Sequence, residues 1–246
     1  MKTFSHKSAP GFTLMESVIA IGVVAVLLTT FLAVFGPASQ SIRRALSAQD
    51  ANRLQTTLER ELQILREGTD SDFQSAFAKA FDWIENSGEA DTAVLLYNYR
   101  GDPKDIRPDQ SLEAYDRDGG QSGREFLLQS AVRRRGDSDS NLEKDLKQVQ
   151  GPIFYVRMTQ LVFDPQDGAL IPGEHGQISS MHDEGEVAND IDDYPGGMIA
   201  FAADFYALKS NNIKYIENLD LKDDNSDGHP DVFGKPLFSR NLGVRR

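Results

Sequence analysis

Apolar residues fall along this chain in two regimes. The first is continuous: residues 17–42 carry no charge, and residues 18–35 are almost wholly aliphatic. A bilayer-spanning helix needs roughly 20 predominantly apolar residues, so this run is long enough to cross a membrane. The second regime is periodic. Ile42, Leu46, Leu54, Leu58, Leu62 and Leu65 recur mostly at helical spacings, interrupted once at Asp50. Gly36-Pro37 lies between the regimes, where the missing proline N–H is expected to kink or loosen a helix. Gly68 is the expected stop. The pattern predicts one helix over residues 12–67, apolar all round in its first half and packing a leucine stripe on a head in its second. About two heptads of leucine are too few to favour a coiled coil.

Beyond residue 67 the pattern predicts a helix over 71–86, with Phe73, Phe77, Ala80, Phe81 and Ile84 on one face and Thr69 or Asp70 as its cap. Dense β-branched and aromatic runs predict strands at 93–99, 125–133, 153–163 and 198–208, with a further short one at 213–216. Two long polar connections, 101–123 and 164–197, separate them, and connections of that length are unusual unless functional, metal-bound or disordered. One long helix, a short helix and then strands give an α+β class, with an antiparallel sheet laid against the first helix.

Charge and composition narrow the function classes. The net charge is −12 with 26% charged and 39% hydrophobic residues, a globular balance. An acidic chain repels nucleic acid and anionic headgroups, so no nucleic-acid partner is expected, and it attracts divalent cations. Lys2 and Lys7 precede the apolar run and Arg43 and Arg44 follow it, so the positive-inside rule leaves its orientation open.

The start of that run carries the most specific signal, Gly11-Phe12-Thr13-Leu14-Met15-Glu16-Ser17-Val18. A carboxylate near the start of a membrane helix is costly and tends to be functional. A secretory signal peptide has a shorter core of about 7–15 residues and is discarded. A generic single-span anchor leaves Gly11-Phe12 and Glu16 unexplained. A basic leader, then Gly-Phe, then Thr-Leu-x-Glu and an apolar helix resembles the N-terminus of type IV pilin-like proteins, the pilins of surface fibres and the pseudopilins of type II secretion. The resemblance implies that residues 1–11 are a leader which a prepilin peptidase cuts between Gly11 and Phe12, methylating the new amine. It implies that residues 12–35 are the transmembrane and assembly helix and 36–67 its periplasmic half. Glu16 would pair with the Phe12 ammonium of a neighbouring subunit, relieving a charge that is costly in lipid and setting the register. It places the protein in a bacterial inner membrane, with residues 68–246 as a head in the periplasm or outside the cell. Its partners would be other pilin-like subunits, the inner-membrane assembly platform and the lipid bilayer. The implied fold, a long helix on an antiparallel sheet, agrees with the pattern. The chain has no cysteine, which excludes the C-terminal disulfide loop common in fibre pilins. The chain most resembles a minor pseudopilin of the J type: the lack of cysteine and a calcium-like loop near the C-terminus lean that way, and retention of Glu16 argues against the K-type tip subunit. A minor pilin of a pilus or DNA-uptake system is the alternative.

In the head, Asp223-Asp224-Asn225-Ser226-Asp227-Gly228-His229-Pro230-Asp231 fits D-x-N-x-D-G-x-x-D. Alternate oxygen-bearing side chains converge when such a loop curls, and Gly228 permits the turn. The expected calcium ligands are Asp223, Asn225, Asp227, the His229 carbonyl and Asp231, and the loop over 223–234 resembles calcium loops of the EF-hand, dockerin and thrombospondin type 3 families. Gly234 stands where an EF-hand has its bidentate Glu. The competing reading is an Asx-rich turn, and a membrane-tethered calcium-dependent binding module is the second functional class. Asp190, Asp192 and Asp193 lack ligand spacing, and His175 and His182 lack zinc partners. Arg100-Gly101-Asp102 and Arg135-Gly136-Asp137 read as chance turn chemistry, and Arg133-Arg134-Arg135 as a basic knot neutralised by acidic neighbours. No nucleophile elbow, phosphate loop or dinucleotide fingerprint occurs, so a structural subunit is expected rather than an enzyme.

Overall fold

Leu14–Glu61 form one helix, α1, which continues through Gly36-Pro37 although the proline supplies no donor. The computed structural model describes residues 13–137, 139–180, 187–188, 190–222 and 229–246. The chain divides into two units, Met1–Leu46 and Ser47–Arg246, and α1 contributes to both.

In the second unit α1 ends at Glu61, short of the expected residue 67. Gln63 N–H turns to Arg60 C=O at 3.1 Å, and Arg66 N–H is taken by Asp70 Oδ2 at 2.7 Å. Such side-chain bonds compete with the helix ladder. Ile64 and Leu65 stay exposed, so burial offers nothing to extend it. The next helix, α2 (Ala76–Asn86), starts five residues later than expected. Ser75 caps it, its hydroxyl accepting from Ala78 N–H at 3.1 Å, because the Asp70 carboxylate is already engaged.

The rest of the head runs β1 (Val94–Ile106), β2 (Leu112–Ala114), β3 (Leu127–Arg134), α3 (Asp139–Lys147), β4 (Phe154–Asp164), β5 (Ala169–Pro172), β6 (Met198–Ala207), α4 (Ile213–Glu217) and β7 (Phe238–Arg245). All strand pairs are antiparallel, in the order β2-β1-β4-β6-β7, with β3 on β1 and β5 on β4. Residues 213–216 are helical rather than extended, because Asn212 caps them through Lys214 N–H at 2.9 Å. The expected loop 101–123 holds the second half of β1 and all of β2. Arg100, Gly101 and Asp102 therefore lie in a strand and not a turn. A Cβ on Gly101 would sit 2.6 Å from the Leu112 side chain, so glycine lets β2 approach.

The sheet is buried on both faces, which is why its strands alternate imperfectly. Leu54 and Leu58 of α1 and Leu62 just past its end join Phe77, Phe81 and Trp83 against Val94, Leu96, Phe154, Val156, Phe201 and Phe205. The other face packs Leu95, Tyr97, Tyr99, Tyr155 and Tyr206 under Leu142 and Leu146 of α3 and Ile216 of α4. The architecture is α+β, with the end of a long N-terminal helix packed against an antiparallel sheet.

Candidate assembly site

The first unit presents Leu14–Phe35, 22 residues with none buried. At about 1.5 Å per residue this segment is about 33 Å long, enough for a hydrocarbon core of about 30 Å. Its few hydroxyls are turned inward. Thr29 Oγ1 donates to Ala25 C=O and Thr30 Oγ1 to Val26 C=O, both at 2.8 Å, and Ser17 Oγ donates to Thr13 C=O at 3.3 Å. Each donor is satisfied within the helix, so the outer surface offers lipid or another helix little but hydrocarbon. Phe31 and Phe35 stack with centroids 5.2 Å apart. Thr13 caps the start, its Oγ1 accepting from Glu16 N–H at 3.2 Å.

Glu16 lies in the first helical turn, where the N-terminal end of the helix dipole favours a carboxylate. It is exposed, and among the described residues its carboxylate has no ion pair. Gly11 and Phe12 lie outside the described residues, as do Asp223, Asn225, Asp227 and His182. Of the calcium-like set, His229 sets its Nδ1 3.0 Å from Tyr206 Oη. Asp231 N–H donates to Lys222 C=O at 3.0 Å and closes the base of the loop. Among the described residues no group of three or more His, Asp or Glu is placed to hold a metal. Asp190 caps the 3₁₀ turn Ile191–Asp193, and His175 Nδ1 pairs with Thr159 Oγ1.

No family model, curated protein or solved structure matches the chain. The functional reading therefore rests on the residues and their geometry.

The head holds charge networks that the sequence did not single out. Lys79 is fully buried and spends its three donors on Glu61 Oε1 at 2.7 Å, Asp70 Oδ2 at 2.7 Å and Ile64 C=O at 3.4 Å, with its ammonium 4.6 Å from the Trp83 ring centroid. Arg66 binds Glu61 as well, and donates to the Asp109 carbonyl at 2.7 Å. The Asp109 carboxylate meets Arg133 at 3.0 Å, and Arg133 meets Asp145 at 2.7 Å. Asp145 also receives Arg107 at 2.8 Å and the Tyr97 hydroxyl at 3.0 Å. The network ends on Glu113, shared by Arg107 at 3.0 Å and Lys144 at 3.2 Å. One polar chain thus ties the end of α1 to α2, β1, β2, β3 and α3. The basic knot is neutralised as expected: Arg134 pairs with Asp82, and Arg135 lies 3.7 Å from Asp91.

Burial works against the Arg133 charge, yet Tyr97, Asp145 and Asp109 hold its guanidinium protonated more firmly than usual. Burial and then Asp145 push the Tyr97 phenol well above its ordinary range. Hydrogen bonds from Arg107 hold the Glu113 carboxyl down at about 2, with Lys144 adding to them.

Asp137 goes the other way. Burial, then the Asp70 and Asp82 charges, raise its carboxyl from 3.8 to about 6, against the pull of Arg134 and Lys79. The folded head therefore holds a proton that the unfolded chain has released, and loses stability as pH rises through that window. Asp137→Asn removes the charge at every pH. The variant is expected to exceed the parent by about 1 kcal/mol at pH 8, allowing for solvent screening, and to match it near pH 3.5. Denaturant unfolding at the two pH values checks this, and equal stability at pH 8 would rule the raised carboxyl out.

Proposed function

We propose that this chain is a minor pilin-like structural subunit, a pseudopilin of a type II secretion pseudopilus, cut between Gly11 and Phe12 and assembled through residues 12–35. The observation that carries the reading is an exposed apolar helix with a single carboxylate in its first turn, Glu16. In lipid that carboxylate is destabilised, and a cation from a neighbouring chain relieves it while fixing the axial register. The methylated Phe12 ammonium is that cation in this reading. The end of α1 packed in the head core supports it further. The head faces the periplasm, and the prepilin peptidase, the assembly platform and other pilin-like subunits are its partners. Mass spectrometry of the protein from cells with active prepilin peptidase is expected to find an N-methylated Phe12 terminus. An intact Met1 terminus in those cells sinks the proposal. A minor pilin of a pilus or DNA-uptake system shares that terminus, and co-purification with secretion or pilus subunits separates the two.

We also propose a calcium site in the same head, on the D-x-N-x-D-G-x-x-D pattern of residues 223–231. Asp223, Asn225, Asp227, the His229 carbonyl and Asp231 are its ligands in this reading, all hard oxygen donors suited to calcium. Calorimetry on the full chain in detergent is expected to show binding at roughly 0.1–1 mM, the range of extracytoplasmic modules. Asp227→Ala is expected to remove that heat. No heat from the parent at millimolar calcium would end the claim, and would also remove the case for a calcium-dependent tether without a filament role.

A further inference from the structure

Four buried polar side-chain atoms around one cavity have no hydrogen-bond partner among the described residues: Asp70 Oδ1, Trp83 Nε1, Arg134 Nε and Asp137 Oδ2. All four residues line a cavity between the end of α1, α2 and the turn after β3. Asp70 and Trp83 are 3% and 2% exposed, so bulk solvent does not serve them. Buried orphans are rare in folded proteins, and four around one cavity call for a common partner.

The cavity offers about 10 Å³ to the centre of a water molecule, close to the roughly 10–15 Å³ that one water needs. Two of the orphans are donors, Trp83 Nε1–H and Arg134 Nε–H, and two are carboxylate acceptors. That set complements a water, which has two lone pairs and two protons, and no simple ion. A cation would face two N–H groups, and an anion would face two carboxylates. The charges on the lining also balance, with Glu61, Asp70 and Asp137 against Arg66, Arg133 and Arg134. Direct closure of the gap is out of reach, because Arg134 Nε lies 3.7 Å from the other oxygen of Asp137.

We propose that one water molecule is a structural ligand of this cavity, accepting from Trp83 Nε1 and Arg134 Nε and donating to Asp70 Oδ1 and Asp137 Oδ2. The other Asp70 oxygen is held by Lys79 and by Arg66 N–H, so this water extends the Glu61–Lys79–Asp70 cluster to the turn after β3. It adds to the direct Lys79–Asp70 and Arg134–Asp82 pairs that already join these segments.

Trp83 is the sole tryptophan, so its indole proton gives one assignable resonance. In the full chain in detergent micelles, nuclear Overhauser spectra are expected to show a cross-peak from water to that proton with the sign of a long-lived water. The peak is expected to persist in Thr69→Val, which removes a lining hydroxyl able to relay exchange. Val132→Ile adds a methyl group to the lining, and is expected to abolish the peak and lower the unfolding midpoint by roughly 3–6 °C, since the orphans lose their partner. A relay through the Lys79 ammonium would survive that change, so a peak that persists in Val132→Ile overturns the proposal. A raised midpoint does the same, because filling a dry cavity stabilises. No peak in the parent also overturns it. If Val132→Ile does not fold, the Thr69→Val spectrum decides.

Discussion

Asp145→Ala is expected to cost the head about 3–5 kcal/mol, the range seen when one partner of a buried ion pair is removed. Asp145 is fully buried and accepts from Arg107, Arg133 and the Tyr97 hydroxyl. Alanine leaves two guanidinium groups side by side in the interior without their shared anion. The loss also loosens α3, because Asp145 sits between Leu142 and Leu146 on the face that helix buries. Guanidinium chloride is unsuitable here, since its salt screens charges, so urea unfolding followed by near-ultraviolet circular dichroism is the measurement. A loss under about 1 kcal/mol would mean that the cluster behaves as surface ion pairs do. Arg107 and Arg133 would then have found water or another carboxylate.

Glu16→Gln is expected to lower incorporation into filaments by on the order of 10²-fold or more, with membrane insertion unchanged. Glutamine keeps the size and the hydrogen-bonding capacity of the side chain and removes only the charge. In the proposed assembly the partner ammonium is then left in a low-dielectric seam without its counter-ion. The apolar run Leu14–Phe35 is untouched, so the chain still enters the membrane fraction. Cross-linking or co-purification of the variant with other pilin-like subunits gives the readout. Incorporation at the parental level would show that Glu16 is not the assembly contact. Reduced insertion would show that the carboxylate acts earlier, at the membrane.

The two cases differ in how legible they were. Glu16 is visible because it interrupts an otherwise apolar run, and a charge in such a run stands out without any knowledge of the fold. Leu54, Leu58 and Leu62 were legible for a related reason: helical spacing reports a buried stripe, and the structure buries all three. Lys79 and Asp145 were hidden. Lys79 lies among apolar neighbours on α2 and Asp145 among charged ones on α3, and each resembles a solvated charge in a charge-rich chain. The partners of Lys79 are 9 and 18 residues away, and those of Asp145 lie 12, 38 and 48 residues away. Periodicity carries no information about such pairs.

The misplaced boundaries have the same origin. The end of α1 was set by Arg66 folding back on Glu61, and the start of α2 by the engagement of Asp70. Both outcomes depend on where Lys79 arrives in the folded head. β7 was missed because its sequence, Phe238–Arg245, is polar and mixed, and only pairing with β6 makes it a strand.

By itself the sequence determined a helix long and apolar enough to span a membrane, the carboxylate at its start, the leucine stripe and the α+β class. These are properties of neighbouring residues and of local period. The tertiary structure alone decided which face of the sheet each strand residue serves, and which charges are buried and with whom. Those depend on desolvation and on contacts between segments far apart in the chain, which no local pattern encodes.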